Sequence, residues 1–276
     1  MRFIALVLLL TVAGCANVSP QSRRQNADRL AAGAGWQKLP LATGSFVLTA
    51  YVPGRIPQDE TLTVYIEGDG LAWLSRSRAS DDPTPVNPVG LKLALRHPRG
   101  AAAYLARPCQ YAGPGDARNC RQEYWTSRRF SPEVIESGNQ AVTLLMQRFG
   151  SKKLVLVGYS GGGAVAALLS ARRNDVVRLV TVAGNLDHRA WTEEHRVMPL
   201  DGSLNPADEW RPLMNVPQKH FVGGRDMVVG TRVFDAYASH FPASHRPDVM
   251  IIPDFDHACC WADKWPELLQ GTQKSR

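Results

Sequence analysis

Short runs of apolar residues, many of them β-branched, alternate along this chain with stretches of helical periodicity. The strand-type runs cover residues 46–52, 62–66, 101–106, 154–157, 176–182, 220–222 and 249–252. Helical patterns lie at 131–150, 162–173, 231–241 and 258–269. Because most of the runs lack the polar alternation of a half-exposed strand, they predict strands that are buried on both faces. The pattern therefore predicts an α/β fold with a mostly parallel central sheet and helices on both faces.

Length and charge limit the class of protein further. The 276 residues suit one α/β domain better than two, and we expect that domain, as a monomer, at residues 36–276. With 44% hydrophobic and 21% charged residues, the chain fits neither a disordered nor a multi-pass membrane protein. Lys and Arg outnumber Asp and Glu by 32 to 25, but they are scattered singly or in pairs without interleaved aromatic residues. A nucleic-acid partner is therefore not expected.

The first residues have the pattern of an export signal. Arg2 precedes a continuous apolar stretch at 3–13, which is too short to span a bilayer as a helix. Small residues then stand directly before Cys15, in the sequence Val-Ala-Gly-Cys. This tetrapeptide resembles the lipobox of bacterial lipoproteins, which implies a signal peptide at 1–14 and a lipid on Cys15. The alternative is an ordinary secretory signal, which would not explain why a cysteine follows the apolar stretch.

The lipoprotein resemblance also implies a location. Ala16, in place of an acidic residue, resembles the residue that follows the cysteine in outer-membrane lipoproteins of Gram-negative bacteria. We therefore expect the protein on the periplasmic side of the cell envelope, held at the outer membrane by its lipid anchor. Residues 15–35 are rich in small and polar side chains and have no sustained apolar periodicity, so they predict a lipid-anchored tether.

Four further cysteines are disulfide candidates, namely Cys109, Cys120, Cys259 and Cys260. Outside the cytosol an even set of cysteines indicates disulfides, and four cysteines allow three pairings. The spacing favours Cys109 with Cys120, which would close a loop of Gly, Pro and polar residues. Cys259 and Cys260 would then be either a neighbouring pair or free thiols. No Cys-x-x-Cys pair occurs, and neither a metal site nor a cofactor is predicted.

The most informative motif lies at 154–163, which reads Leu-Val-Leu-Val-Gly-Tyr-Ser-Gly-Gly-Gly. It predicts a strand, a tight turn at Ser160 and a helix, and Gly158 and Gly162 bracket the serine in the spacing Gly-x-Ser-x-Gly. A phosphate-binding loop is disfavoured, because Ala164 stands where such a loop has its lysine. The motif resembles the nucleophile elbow of the α/β-hydrolase superfamily. The resemblance covers the chain from about residue 44 to the end and implies the α/β-hydrolase fold.

An elbow serine requires an acid and then a histidine, each placed after a later strand. Asp226 follows a predicted strand and a Gly pair, in a segment that resembles the acid-bearing loop of the superfamily. His257 follows the last predicted strand, so the order is Ser160, Asp226, His257. In this interpretation His257 is the general base for Ser160, and Asp226 holds its tautomer. Asp187, which lies one strand earlier, is the competing acid.

Acyl transfer also needs backbone donors for the developing oxyanion. One is expected from Gly161, and a second from Asp69 or Gly70 in the Gly-rich turn after an early strand. Residues 188–212 contain Trp and Met among turn formers, at the place where the superfamily commonly inserts a cap. We expect a short cap there, with an ordinary surface excursion as the alternative.

These resemblances together imply a serine hydrolase of the carboxylesterase kind, acting without a cofactor. It would cleave an ester, thioester or amide bond of a small-molecule or acyl-ester substrate through an acyl-enzyme. Two alternatives remain open at this point. One is an acyltransferase that uses the same site, and the other is a non-catalytic envelope lipoprotein that keeps the fold as a binding scaffold.

Overall fold

The computed structural model describes residues 19–113 and 115–271. In this part of the chain eight strands form one sheet: β1 (Trp36–Ala42), β2 (Val47–Pro53), β3 (Thr61–Ile66), β4 (Ala101–Leu105), β5 (Lys153–Tyr159), β6 (Val176–Val182), β7 (Gln218–Gly223) and β8 (Asp248–Ile252). Their order is β1-β2-β4-β3-β5-β6-β7-β8. β1 and β2 are antiparallel to their neighbours, whereas β3 to β8 all run parallel. The predicted mostly parallel sheet is confirmed.

Helices cover both faces of this sheet, as predicted. They are α1 (Pro20–Gly33), α2 (Val89–Leu95), α3 (Pro132–Phe149), α4 (Gly161–Ser170), α5 (His188–His195), α6 (Trp210–Leu213), α7 (Thr231–Ser239) and α8 (Trp261–Gly271). One apolar cluster packs α3, α4 and α7 against the sheet, and a second packs α1, α2 and α8. Successive residues of β5 join opposite clusters, Leu156 the first and Val157 the second, because side chains alternate along a strand. Among the described residues, none of the helices has the length and apolar character that crossing a bilayer requires.

The local signals around α3 agree with its observed ends. Pro132 occupies the first turn, where its missing N–H removes no intrahelical bond. Gly150 closes the helix at φ +66°, a left-handed conformation that favours glycine. Besides α1, the elements β1, α2, α5 and α6 have no counterpart among the predicted ones. β1 is an edge strand with mostly exposed side chains, so it lacks the apolar run that marks a buried strand.

Residues 20–33 form helix α1, and the predicted tether is therefore wrong for this segment. Ala27 and Ala31 are fully buried against the second apolar cluster. Arg23, also buried, donates hydrogen bonds into the loop that includes Thr84. The helix packs through two small alanines and a guanidinium group, so it shows no wide apolar stripe in the sequence. The predicted signal peptide at 1–14 and Cys15 lie outside the described residues.

The four remaining cysteines lie in two close pairs. The Cα atoms of Cys109 and Cys120 are 5.5 Å apart, a separation typical of a disulfide, and their sulfur atoms lie at bonding distance. This is the pairing that the spacing favoured. The sulfur atoms of the neighbours Cys259 and Cys260 also lie at bonding distance, two residues after His257.

Candidate active site

Ser160 stands on the turn between β5 and α4, at φ +52° and ψ −122°. The turn is tight enough to require glycine on both sides of the serine. A Cβ atom on Gly158 would lie 2.3 Å from the carbonyl oxygen of Gly162, and one on Gly162 would lie 2.3 Å from that of Ile66. Only glycine avoids these overlaps, which explains the Gly-x-Ser-x-Gly spacing. The turn places Ser160 at the carboxyl end of a central strand.

His257 joins Ser160 to Asp226 through its two ring nitrogens. Its Nε2 lies 3.0 Å from Ser160 Oγ, and its Nδ1 lies 2.8 Å from Asp226 Oδ2. The other carboxylate oxygen, Oδ1, accepts the backbone N–H groups of Val228 and Val229, both at 2.8 Å. The Asp226 side chain has no exposed surface, whereas His257 keeps 19% of its own exposed. The carboxylate is therefore held in one orientation toward the imidazole.

Asp187 is engaged elsewhere. Its Oδ1 accepts the backbone N–H groups of Arg189 and Ala190, as the N-cap of α5. The same oxygen accepts Asn205 Nδ2 at 3.0 Å. Asp187 therefore caps α5, and the acid that contacts His257 is Asp226.

The backbone that carries His257 is held by two aromatic donors. Tyr159 Oη donates to the His257 carbonyl oxygen at 3.0 Å, and Trp261 Nε1 donates to the same oxygen at 3.1 Å. On the same loop, the N–H groups of Cys259 and Ala258 bind Asp256 Oδ1 and lower the pKa of Asp256. The sequence did not indicate this role of Tyr159, because the residue occupies the unspecified position before the serine in the motif.

The Gly-rich turn after β3 faces Ser160 across a shared cavity. Gly68, Asp69 and Gly70 all line that cavity. Gly70 lies at φ +67°, and a Cβ atom there would lie 2.0 Å from the Pro83 carbonyl oxygen. Within the described residues, the backbone N–H groups of Asp69 and Gly70 donate no hydrogen bond. Gly161 is the first residue of α4, so its N–H has no intrahelical acceptor.

A buried acid holds this turn in place. Glu67 is 1% exposed and accepts the backbone N–H groups of Gly68, Gly90 and Leu91. The hydroxyl of Tyr104 donates to it at 3.1 Å. Burial raises the pKa of Glu67, and the four hydrogen bonds oppose that effect by stabilising the carboxylate. The turn is thereby joined to the beginning of α2.

Asp69, in the wall of the cavity, is paired with two arginines. Its carboxylate oxygens lie 3.1 Å from Arg107 Nη1 and 2.6 Å from Arg129 Nη1. Burial alone would raise the pKa of Asp69, but the two guanidinium groups outweigh it and hold that pKa below its ordinary value. No sequence pattern indicated this cluster, because its members come from three separate loops.

The cavity beside Ser160 and His257 has a volume of about 380 Å³. Its walls are mostly apolar, and they include Trp73, Val86, Trp191 and Val228. Trp191 comes from α5, inside the predicted cap at 188–212, and its Nε1 donates to the Val228 carbonyl oxygen at 2.7 Å. The site can therefore hold an apolar acyl or aryl group next to a hydroxyl and an imidazole.

Polar residues also line the cavity, among them Asn87, Arg129 and Asn185. Asn185 is 3% exposed, and its Oδ1 has no hydrogen-bond partner among the described residues. Across residues 19–113 and 115–271, no three His, Cys, Asp or Glu side chains cluster so that they could hold a metal ion.

No protein-family model matches the chain, and no curated protein sequence matches it either. Solved structures do match. The chain is similar to an esterase of Pyrococcus furiosus, with a TM-score of 0.58 and 13% identity over 86% of this chain and 90% of the other. It is also similar to an α/β serine hydrolase without a lid from Xanthomonas campestris, with a TM-score of 0.55 and 14% identity over 87% and 94%.

A third similar structure is an α/β serine hydrolase homologue from Coxiella burnetii, with a TM-score of 0.55 and 12% identity over 85% of this chain and 94% of the other. Each of these three structures matches 85 to 87% of this chain. At 12 to 14% identity they establish the shared architecture alone. The chain has the α/β-hydrolase fold.

Proposed function

We propose that this protein is a serine hydrolase that cleaves a carboxylic ester through an acyl-enzyme. One observation carries the proposal, namely the continuous hydrogen-bonded series from Ser160 through His257 to the buried Asp226. Serine is a weak nucleophile at neutral pH, so it needs an adjacent base whose tautomer is held by a third group. The two distances, 3.0 and 2.8 Å, supply that arrangement.

The reaction follows from this geometry. Ser160 Oγ attacks the ester carbonyl carbon while His257 Nε2 takes its proton, and Asp226 stabilises the imidazolium that forms. The oxyanion of the tetrahedral intermediate accepts the N–H of Gly161 and a second N–H, from Asp69 or Gly70. His257 then protonates the leaving alcohol. Water, deprotonated by the same imidazole, hydrolyses the acyl-enzyme and restores Ser160.

The walls of the cavity support an ester with an apolar acyl or aryl group. Trp73, Trp191, Val86 and Val228 provide contact area beside the nucleophile, which suits a carboxylesterase. The similar Pyrococcus furiosus structure is an esterase, which agrees with this choice. Thioester and amide substrates would use the same series of groups.

The test is labelling with a fluorophosphonate probe, together with hydrolysis of p-nitrophenyl esters of increasing chain length. We expect the wild type to be labelled and to hydrolyse the esters. Ser160→Ala removes only the nucleophilic oxygen, so it should abolish both signals without lowering the melting temperature. Labelling that persists in this variant would refute the assignment of the nucleophile. A folded wild type with neither signal would favour a binding scaffold.

We further propose that the mature protein begins at Cys15 and carries its lipid there. The small residues before Cys15, the short apolar stretch and the absence of an acidic residue at position 16 support an anchor at the outer membrane, facing the periplasm. The Cα separation of Cys109 and Cys120, 5.5 Å, suits a disulfide, which agrees with an oxidising compartment.

A further inference from the structure

The mouth of the catalytic cavity exposes a group of apolar side chains. Trp73, Leu74, Val86, Met227 and Val228, which we call the mouth patch, are each between 39% and 86% exposed. Three of them, Trp73, Val86 and Val228, also line the cavity, so the patch is continuous with the catalytic site. Large exposed apolar side chains grouped around a cavity mark an interaction surface.

Basic side chains accompany this patch. The loop that runs from Trp73 to Ala79 is closed by a bridge between these two residues, and it exposes Arg76 and Arg78 beside Leu74. Tryptophan is enriched where proteins meet the headgroup level of a bilayer, and arginine is attracted to anionic headgroups. Apolar and cationic side chains on one loop therefore fit an anionic lipid surface.

The beginning of the described chain lies close to the same side of the molecule. Arg23, in the first turn of α1, donates hydrogen bonds to the carbonyl oxygens of Asp82 and Thr84. Val86 of the mouth patch follows two residues after Thr84. Cys15 precedes Pro20, the first residue of α1, by so few residues that the connecting chain reaches at most about 18 Å. A lipid on Cys15 would consequently hold this side of the domain near the bilayer.

We propose that the mouth patch docks on the lipid leaflet in which Cys15 is anchored, so that the substrate is an amphiphilic ester drawn from that leaflet. The proposal rests on the proposed hydrolase function and on lipidation of Cys15. The acyl chain would pass from the leaflet between Trp73 and Val228 into the apolar part of the cavity, and its ester group would meet Ser160. Arg76 and Arg78 would contact phospholipid phosphates.

Docking is tested by fluorescence quenching with the full chain in vesicles of phosphatidylethanolamine and phosphatidylglycerol, with and without bromine on the acyl chains. Bromine quenches tryptophan only on close approach, so the wild type should lose fluorescence in the brominated vesicles. Trp73→Phe should remove most of that loss, whereas Trp210→Phe, on α6 outside the cavity, should leave it unchanged. Equal quenching of the wild type and Trp73→Phe would overturn the proposal.

Activity provides a second test with matched variants. Leu74 and Leu144 are similarly exposed, at 42% and 38%, but Leu144 lies near the end of α3, toward the amino ends of the strands. Leu74→Ser should hydrolyse a vesicle-embedded ester about five- to tenfold more slowly than Leu144→Ser, because the 42% of the leucine that is exposed no longer becomes buried in the leaflet. Both variants should hydrolyse a soluble short-chain ester at the wild-type rate.

The two tests separate the failure of docking from the failure of the proposed function. If soluble esters are hydrolysed but the two leucine variants hydrolyse the vesicle-embedded ester at the same rate, the proposed hydrolase function is supported and the docking surface is wrong. If no ester is hydrolysed but Trp73→Phe still reduces the quenching, docking is supported and the proposed activity is wrong.

Discussion

At the scale of single residues, the site depends on which acid faces the imidazole. Asp226 and Asp187 both follow parallel strands, and both side chains are buried. They differ in their partners, because Asp187 caps α5 whereas Asp226 divides its oxygens between His257 and two backbone N–H groups. Replacing either acid therefore tests a different property of the protein.

We expect Asp226→Asn to lower kcat for ester hydrolysis by orders of magnitude, about 10⁴-fold in the protease precedent, because an amide favours the wrong imidazole tautomer. Asp187→Asn should retain most of the activity and lower the melting temperature slightly, since asparagine is also a good N-cap. Rates on p-nitrophenyl esters and thermal unfolding curves measure both effects. If Asp226→Asn keeps most of the activity and Asp187→Asn loses it, the assignment of the acid to Asp226 is wrong.

At the scale of elements, β7 carries a buried histidine that the reaction does not use. His220 is fully buried between β6 and α7, with Nδ1 at 2.7 Å from Thr181 Oγ1 and Nε2 at 3.1 Å from Gln218 Oε1. Tyr237 Oη also donates to Gln218 Oε1, at 2.6 Å. Burial, with a smaller effect from Lys219, lowers the pKa of His220 to about 3. The ring is therefore neutral in the folded protein.

This histidine should make stability depend on pH. Between the unfolded pKa of about 6.5 and the folded value, only the unfolded chain binds the proton, so the free energy of unfolding should fall as pH falls. The contribution of His220 is about 1.4 kcal/mol per pH unit in that window. Denaturant unfolding between pH 7 and pH 5 should show a flatter pH slope for His220→Gln than for the wild type. The exposed His245→Gln should keep the wild-type slope, and equal slopes for all three proteins would contradict the buried neutral state.

At the scale of the whole molecule, α1 packs against the loop that leads to the Ser160 cavity. Tyr51 Oη donates to Asp28 Oδ1 of α1 at 2.5 Å, and Arg23 binds the loop that leads to Val86. The orientation of the domain toward a membrane would thus be determined by a packed helix rather than by a free tether.

Lipidation of Cys15 is tested on the whole protein in a bacterial envelope. Metabolic labelling with a palmitate analogue should mark the wild type and leave Cys15→Ser unlabelled. Mass spectrometry of the mature protein should find residue 15 as the N-terminus, carrying the mass of its acyl chains. Cys259→Ser serves as the control and should be labelled like the wild type. A mature N-terminus at another residue would exclude the lipoprotein assignment.

The sequence by itself determined the features that are encoded over a few consecutive residues. Unbroken apolar runs marked the parallel strands, and paired glycines marked the turn at Ser160, because local sterics leave no other residue room there. The resemblance of this motif to the nucleophile elbow then implied an acid and a histidine after later strands, in that order.

Only the tertiary structure decided the features that depend on contacts between distant segments. These are the packing of α1, the pairing of Asp69 with Arg107 and Arg129, the support of His257 by Tyr159, and the choice of Asp226 over Asp187. Each of them joins side chains from separate segments of the chain. No pattern of neighbouring residues in the sequence indicates such a contact. Hydrogen bonds and ion pairs of this kind depend on distances of about 3 Å, which are set only when the whole sheet and its helices have assembled.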